Sequence, residues 1–227
     1  MLFIMKKRNI VLQLIPFFVA AFFAVLAIVL YTFLIENRSA LDYAEMSLGA
    51  LIPLILPVLG WIAKKDFPVL LNAFICLQTV LAIDFGRALG FYGLLPWWDL
   101  FMHGIFGVMA SVFAAYFLIR WKGEGMTGLG KAVFILMFTL GCAALWEVWE
   151  YLCSLIFGND PQGVQSAIEQ GISPIADTME DIMIAVAGVA VFFGVVLVDK
   201  LKGGKLAGWF YRVSVGEEKT PPEPLTD

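Results

Sequence analysis

Ionisable side chains cluster at one end of several long apolar segments of this sequence. Asp99 and His103, the only histidine, begin one such segment four residues apart. Residues at this spacing lie on one face of a helix. The imidazole and the carboxylate can therefore act as a general base oriented by its acid, or as two ligands of a metal ion. Charged groups are costly inside a bilayer, so the pair predicts either a functional site or a packing network in which the buried carboxylate orients the imidazole.

Two further segments carry acids toward the same end. Glu147 and Glu150 lie three residues apart in one segment, and Asp177 and Asp181 lie four residues apart at the start of another. When depth is counted along helices that rise about 1.5 Å per residue, these acids reach the level of His103. The spacing therefore predicts one ionisable layer, although either glutamate could be the one that faces it.

A fourth segment ends in Asp84 and Arg87 at a similar expected depth. Arg87 follows Asp84 by about one helical turn, which predicts a salt bridge between them or an anchor for an anionic group of a substrate. Binding is expected from Asp84, Arg87, Glu147 and Asp177, and acid/base catalysis from Asp99, His103, Glu150 and Asp181.

Crowded carboxylates beside one imidazole leave three chemical interpretations open. They can hold a divalent cation such as Mg²⁺, Ca²⁺ or Mn²⁺, share protons in a network, or activate a metal-bound water for hydrolysis. A zinc or di-iron site is poorly supported, because the sequence has one histidine and no Glu-x-x-His pair. The expected cation ligands are Asp99, His103, Glu150, Asp177 and Asp181.

The composition, 61% hydrophobic and 15% charged, is typical of a membrane protein. Its continuous apolar runs predict an all-α, polytopic bundle of six transmembrane helices rather than a barrel. The expected spans are 10–35, 46–63, 67–86, 98–120, 131–157 and 178–199. They form one expected domain, 1–215, followed by a disordered acidic tail, 216–227.

Basic residues predict the orientation of these spans. With six spans, thirteen Lys and Arg residues fall on the side of the termini, and only Arg38 and Arg87 fall on the other. This bias predicts a multi-pass protein of the inner membrane with both termini cytoplasmic, and it places the ionisable layer near the outer leaflet.

The connections and small residues give further expectations. Pro53 and Pro57 predict a kink in the second span. The long outer loop 158–176 contains one or two helical turns and is either a lid over the site or an ordinary surface loop. The three cysteines are expected to be unpaired packing residues. Glycines in the fourth and sixth spans permit close helix approach within the chain or between subunits: Gly104, Gly107, Gly188 and Gly194.

Three stretches together resemble a known family: 97–107 (WWDLFMHGIFG), 144–162 (ALWEVWEYLCSLIFGNDPQ) and 176–189 (ADTMEDIMIAVAGV). They resemble the YjdF-like inner-membrane proteins of bacteria and, more distantly, the VanZ-like proteins associated with glycopeptide resistance. The resemblance covers about 84–199 and falls on Asp99 with His103, on Glu147 with Glu150, and on Asp177, Thr178 and Asp181. It implies a membrane protein with a site at these residues, and it implies no particular reaction.

The sequence therefore favours a membrane-embedded enzyme or binding protein. Its expected partners are the lipid bilayer and a lipid-linked or cell-envelope molecule, handled with a divalent cation, and no nucleic acid. A small transporter or proton-coupled carrier is one alternative, and a non-catalytic structural or assembly protein is another. The oligomeric state is open.

Overall fold

The computed structural model describes residues 10–36, 38–64, 67–158, 160–171 and 173–215, and the regular structure within these ranges is all helical. The expected tail 216–227 lies outside the described residues. Six helices are long and apolar enough to cross a membrane, which confirms the predicted fold class. They are Val11–Leu34, Ala40–Ala63, Val69–Ala88, Trp98–Arg120, Gly128–Phe157 and Pro174–Leu201.

The chain divides into two units, the first ending at Trp98 and the second beginning at Asp99. The single bundle expected for 1–215 stays a prediction.

Helix α1, Ile10–Leu34, is the centre of the first unit. It packs against α2, Ala40–Gly49, and α4, Val69–Thr79. Ala20, Ala24 and Ala27 are buried along one stripe of α1, where their small side chains let neighbouring helices approach closely.

The second span is interrupted where the prolines occur. Helix α2 ends at Gly49, a short 3₁₀ turn covers Ile52–Leu54, and α3, Ile55–Ala63, completes the span. Pro53 lies in the 3₁₀ turn, because its ring and missing N–H do not fit an α-helix interior. Helix α2 begins earlier than expected, since the Ser39 side chain accepts a hydrogen bond from the Leu41 N–H at 3.1 Å and caps it.

The third span changes its helical type near its end. Helix α4 continues as a π-helix, Val80–Ala88, in which Asp84 is buried. A short helix, α5, Phe91–Leu94, follows Gly90, whose φ of +79° suits glycine. π-Helical turns are rare and often occur at functional sites.

The second unit consists of α6 to α10. They are α6, Trp98–Arg120; α7, Gly128–Phe157; α8, Val164–Gln170; α9, Pro174–Leu201; and α10, Lys205–Val215. With 30 residues, α7 is about 45 Å long and exceeds the hydrocarbon thickness of about 30 Å.

Helices α6, α7 and α9 share an apolar core in the half of the unit away from the ionisable residues. Ala114, Ile135 and Val189 are buried together there, one from each helix. One or two turns nearer the ionisable residues, Ser111 and Thr139 join α6 to α7 through hydroxyl groups 3.2 Å apart. Both side chains are fully buried, so this link satisfies polar groups inside the bundle.

Helices α6 and α9 cross with their backbones in contact. A Cβ atom placed on Gly107 would overlap the Ala185 carbonyl, and one on Gly188 would lie 2.6 Å from the Gly104 carbonyl oxygen. Gly107 and Gly188 therefore serve close approach within the chain, as the sequence allowed. A Cβ on Gly194 would meet nothing within 4 Å.

Replacing Gly107 with alanine should separate α6 from α9. We expect Gly107→Ala to lower the free energy of unfolding by about 1–3 kcal/mol, as overpacking does. Gly104→Ala is the matched control on the same helix, because its Cβ would meet nothing within 4 Å. Thermal unfolding of the purified proteins in detergent measures both, and equal unfolding temperatures would contradict the crossing.

Candidate functional site

Helix α6 presents Asp99 and His103 at its first turns. Asp99 lies in the first turn, where unpaired backbone N–H groups favour a carboxylate. Its Oδ1 lies 3.6 Å from Nε2 of His103, one turn deeper. The imidazole is buried, with 5% of the side chain exposed, whereas 38% of the Asp99 side chain is exposed. The i,i+4 pairing predicted from sequence therefore brings the two groups together.

Helix α9 brings a second carboxylate to the same imidazole nitrogen. Asp181 Oδ2 lies 3.8 Å from His103 Nε2, and only 4% of the Asp181 side chain is exposed. His103 precedes Gly107 by one turn on α6, and Asp181 precedes Ala185 by one turn on α9. The backbone crossing thus determines the distance between these two side chains.

Helix α7 supplies both glutamates, and the carboxylates of both lie near His103. Oxygen atoms of Glu147 and Glu150 and a ring nitrogen of His103 all lie within 4.8 Å of one another. Asp99, His103 and Asp181 form a second group with the same property. His103 therefore belongs to two sets of potential ligand atoms, one with α7 and one with α9.

The Glu147 carboxylate is the unusual member of this cluster. It is buried, with 6% of the residue exposed, and neither oxygen has a hydrogen-bond partner of good geometry among the described residues. The side chains of Thr178 and Gln162 lie near enough for weaker polar contact. Glu150 differs, because its Oε1 accepts a hydrogen bond of 2.9 Å from Nε1 of Trp146.

The connection between α7 and α9 folds back onto the ends of these helices that carry the ionisable residues. Gln162 donates a hydrogen bond of 3.2 Å to the backbone carbonyl of Glu147. The Asp160 carboxylate accepts a hydrogen bond of 2.9 Å from the Gln165 N–H. Helix α8, in the same loop, corresponds to the helical turns expected there. Whether the loop opens and closes as a lid stays a prediction.

Asp177 lies beneath this loop and outside both groups of potential ligands. A Cβ added to Gly163 would lie 2.7 Å from Asp177 Oδ2, so the loop backbone rests on that carboxylate. The role of Asp177 as a cation ligand stays a prediction. Its position suits it to hold the loop.

Asp84 and Arg87 belong to the first unit. Arg87 Nε lies 2.5 Å from Glu45 Oε2 and 3.5 Å from Asp42 Oδ1, both on α2. Among the described residues, Arg87 forms its ion pairs with acids of α2 and not with Asp84, as one of the expectations had it. The wider π-helical turn changes the angle between residues three apart. Participation of Asp84 and Arg87 in a shared binding site stays a prediction.

Sequence reasoning missed several residues that position the cluster. Trp146 contacts the Glu150 carboxylate and Gln162 contacts the Glu147 backbone, and neither is among the predicted site residues. Asp42 and Glu45, the partners of Arg87, lie before the expected second span, although Ser39 just before them is a typical helix cap. That cap was the signal available for α2. The contacts of Trp146 and Gln162 depend on side-chain direction, which spacing alone does not give.

Comparison with known proteins identifies the family. Residues 18–200 match a family described as "predicted membrane protein (DUF2238)", to which the YjdF-like proteins correspond. The chain belongs to this family. No curated protein and no solved structure matches the sequence, and the more distant likeness to VanZ-like proteins has no support.

The packing of the loop on Asp177 can be tested with two glycines. Gly163 has a φ of +62° and Gly171 a φ of +71°, so alanine at either position carries a similar backbone cost of about 1–2 kcal/mol. Only at Gly163 would the new methyl group strike a neighbour, the Asp177 carboxylate. We expect limited proteolysis to cut 158–173 faster in Gly163→Ala than in Gly171→Ala. Equal cleavage rates would contradict the contact.

Proposed function

We propose that this membrane protein binds a divalent cation between α6, α7 and α9 and uses it to bind or process a lipid-linked or cell-envelope molecule. Asp99, His103, Glu147, Glu150 and Asp181 are the proposed ligands. We further propose that the protein lies in the bacterial inner membrane with cytoplasmic termini, which the thirteen-to-two distribution of basic residues supports. In this orientation the cluster faces the outer leaflet.

Glu147 carries this proposal. Buried polar atoms in proteins are nearly always hydrogen-bonded, and a buried charge without a partner costs several kcal/mol. Both oxygens of Glu147 are buried, and among the described residues their polar neighbours, Thr178 and Gln162, lie outside good hydrogen-bond geometry. The Glu147 oxygens lie beside Glu150 and His103, which offer further ligand atoms. A cation between these groups would satisfy Glu147 and reduce its repulsion from Glu150.

The distances around His103 support the same interpretation. Its Nε2 is 3.6 Å from Asp99 and 3.8 Å from Asp181, longer than a hydrogen bond of about 2.7–3.2 Å. Two ligands bound to one ion at about 2.1 Å are separated by about 3–4.2 Å. The His103–carboxylate pairs have the separation of ligands around a common ion.

The donor set favours an oxygen-preferring ion that also accepts one imidazole. Four carboxylates and one histidine suit Mn²⁺ or Mg²⁺ better than zinc, which is usually bound by more histidine or cysteine. Such an ion would polarise a phosphoryl or carbonyl oxygen, or lower the pKa of a bound water. The charge of the cluster also suits a divalent cation, because its two positive charges would offset part of the negative charge of the carboxylates.

Lipid access supports a lipid-linked substrate. The outer part of α7 exposes large apolar side chains beside the glutamates, among them Trp149 and Tyr151. A molecule with an apolar tail and a phosphate or sugar head could bring its head to the cluster from the bilayer.

The packing of the second unit argues against the two alternatives. Apolar Ala114, Ile135 and Val189 lie beyond the ionisable layer, so the described part of this unit offers no continuous polar path for a carrier. The helices are already joined by the α6–α9 crossing and the Ser111–Thr139 link. A purely structural protein would not need the acids in addition.

Metal content tests the cation directly. Protein purified with Mn²⁺ in the buffer and then desalted should retain about one ion or more per chain by mass spectrometry. Asp181→Asn and His103→Gln each remove a proposed ligand, and we expect affinity to fall at least tenfold. Glu180→Gln is the control, since Glu180 is the exposed neighbour of Asp181 on α9. Wild-type protein without metal after supplementation with Mn²⁺, Mg²⁺ and Ca²⁺ would overturn the proposal.

A second test separates binding from folding at Glu147. The isosteric Glu147→Gln change removes a buried charge, so the variant without metal should unfold at the same or a higher temperature than wild type. Mn²⁺ at a hundredfold excess over its Kd should stabilise wild-type protein by about 2.7 kcal/mol. The variant should lose most of this effect. A variant stabilised by Mn²⁺ as strongly as wild type would remove Glu147 from the ligand set.

A further inference from the structure

The chain turns sharply after the last membrane span and begins a new helix there. Gly203 and Gly204 have φ values of +94° and +67°, which allow the reversal. The Asp199 carboxylate, near the end of α9, accepts hydrogen bonds of 2.9 and 2.8 Å from the N–H groups of Leu206 and Ala207. Two hydrogen bonds therefore join the first turn of α10 to the end of the last membrane span.

Helix α10 has two different sides. Ser214 is buried, whereas Leu206 and Trp209 are 50% and 41% exposed. These two residues are three apart and therefore lie on the same side of the helix. Tryptophan prefers the boundary between hydrocarbon and headgroups. An exposed Leu–Trp side that begins five residues after a membrane span suits a helix lying in that boundary.

The charge around the turn is strongly positive. Lys200, Lys202 and Lys205 are exposed on the turn between α9 and α10, and Arg212 follows on α10. Asp199 is the only acidic residue from 199 to 215. Its carboxylate oxygens accept hydrogen bonds from the two N–H groups at the start of α10. The three lysines thus form a cationic group beside the exposed apolar side, directly after a membrane span.

We propose that the lysine turn, Lys200, Lys202 and Lys205, together with Leu206 and Trp209, binds anionic phospholipid headgroups at the bilayer surface. The lysines contact headgroup phosphates, while the two apolar side chains enter the boundary of the acyl chains. A basic group directly beside a span and an apolar helix side is the combination that anionic membranes recognise. This site is independent of the proposed cation site in the ionisable layer.

Native mass spectrometry of the full chain tests this proposal. The detergent-solubilised protein is mixed with equal amounts of chain-matched phosphatidylglycerol and phosphatidylcholine, and the retained lipids are counted. Each basic residue near an anionic surface strengthens attraction about fivefold. We expect wild-type protein to prefer phosphatidylglycerol about tenfold or more, and Lys200→Gln/Lys202→Gln/Lys205→Gln to show near-equal retention of the two lipids.

A control with the same loss of charge separates a local site from general electrostatics. Arg120→Gln/Lys122→Gln/Lys131→Gln removes three basic residues around the α6–α7 turn. This variant should keep the wild-type preference. Wild-type protein without a preference, a lysine-turn variant that keeps it, or equal losses in both triple variants would each overturn the proposal. All substituted side chains of the lysine turn are exposed, so the change leaves the packing of the helices intact.

Discussion

The second unit depends on backbone contact between α6 and α9. Lipid tails are as apolar as the helix surfaces, so burial of apolar area drives helix association weakly in a bilayer, and close packing must replace it. Gly107 and Gly188 allow that packing, because neither crossing point has room for a Cβ atom. One turn away, the same crossing brings His103 and Asp181 to 3.8 Å. The contact that holds the helices together also assembles the cluster.

Three kinds of interaction succeed one another along the second unit. Apolar packing around Ala114 and Ile135 comes first, the Ser111–Thr139 hydroxyl link lies next, and the ionisable layer comes last. The first two stabilise the helices at no electrostatic cost. The third costs free energy, because buried carboxylates such as Glu147 lose hydration. A costly layer on an already stable scaffold is the arrangement expected of a binding site.

Much of this arrangement could be predicted from the sequence, because helical geometry carries over to three dimensions. Apolar runs of membrane length gave the six helices. Counting residues along straight helices placed Asp99, His103, Glu147 and Asp181 at one depth, and the structure brings their side chains together. Spacing also gave the i,i+4 contact between Asp99 and His103. Both successes rest on the fixed rise and period of the α-helix.

Where the helix departs from that geometry, the sequence was a poorer guide. The π-helix around Asp84 changes the register of Arg87, and its partners, Asp42 and Glu45, lie on a helix that starts before the expected span. Helix α10 was missed because its 11 residues are too short and too polar to be found by a search for membrane spans. Tertiary contacts decide the partners of Arg87, and pattern alone does not encode them.

The distances around His103 favour the proposed cation over shared protons in the ionisable layer. A proton neutralises one carboxylate, and the new O–H needs an acceptor at about 2.5–3.0 Å. The His103 Nε2 pairs at 3.6 and 3.8 Å exceed that range. One cation with bonds of about 2.1 Å would satisfy Asp99, His103 and Asp181 at once, and the two His103–carboxylate separations fit such an ion. Glu147 supports the same proposal, since a cation can contact both of its buried oxygens, whereas one proton binds only one of them.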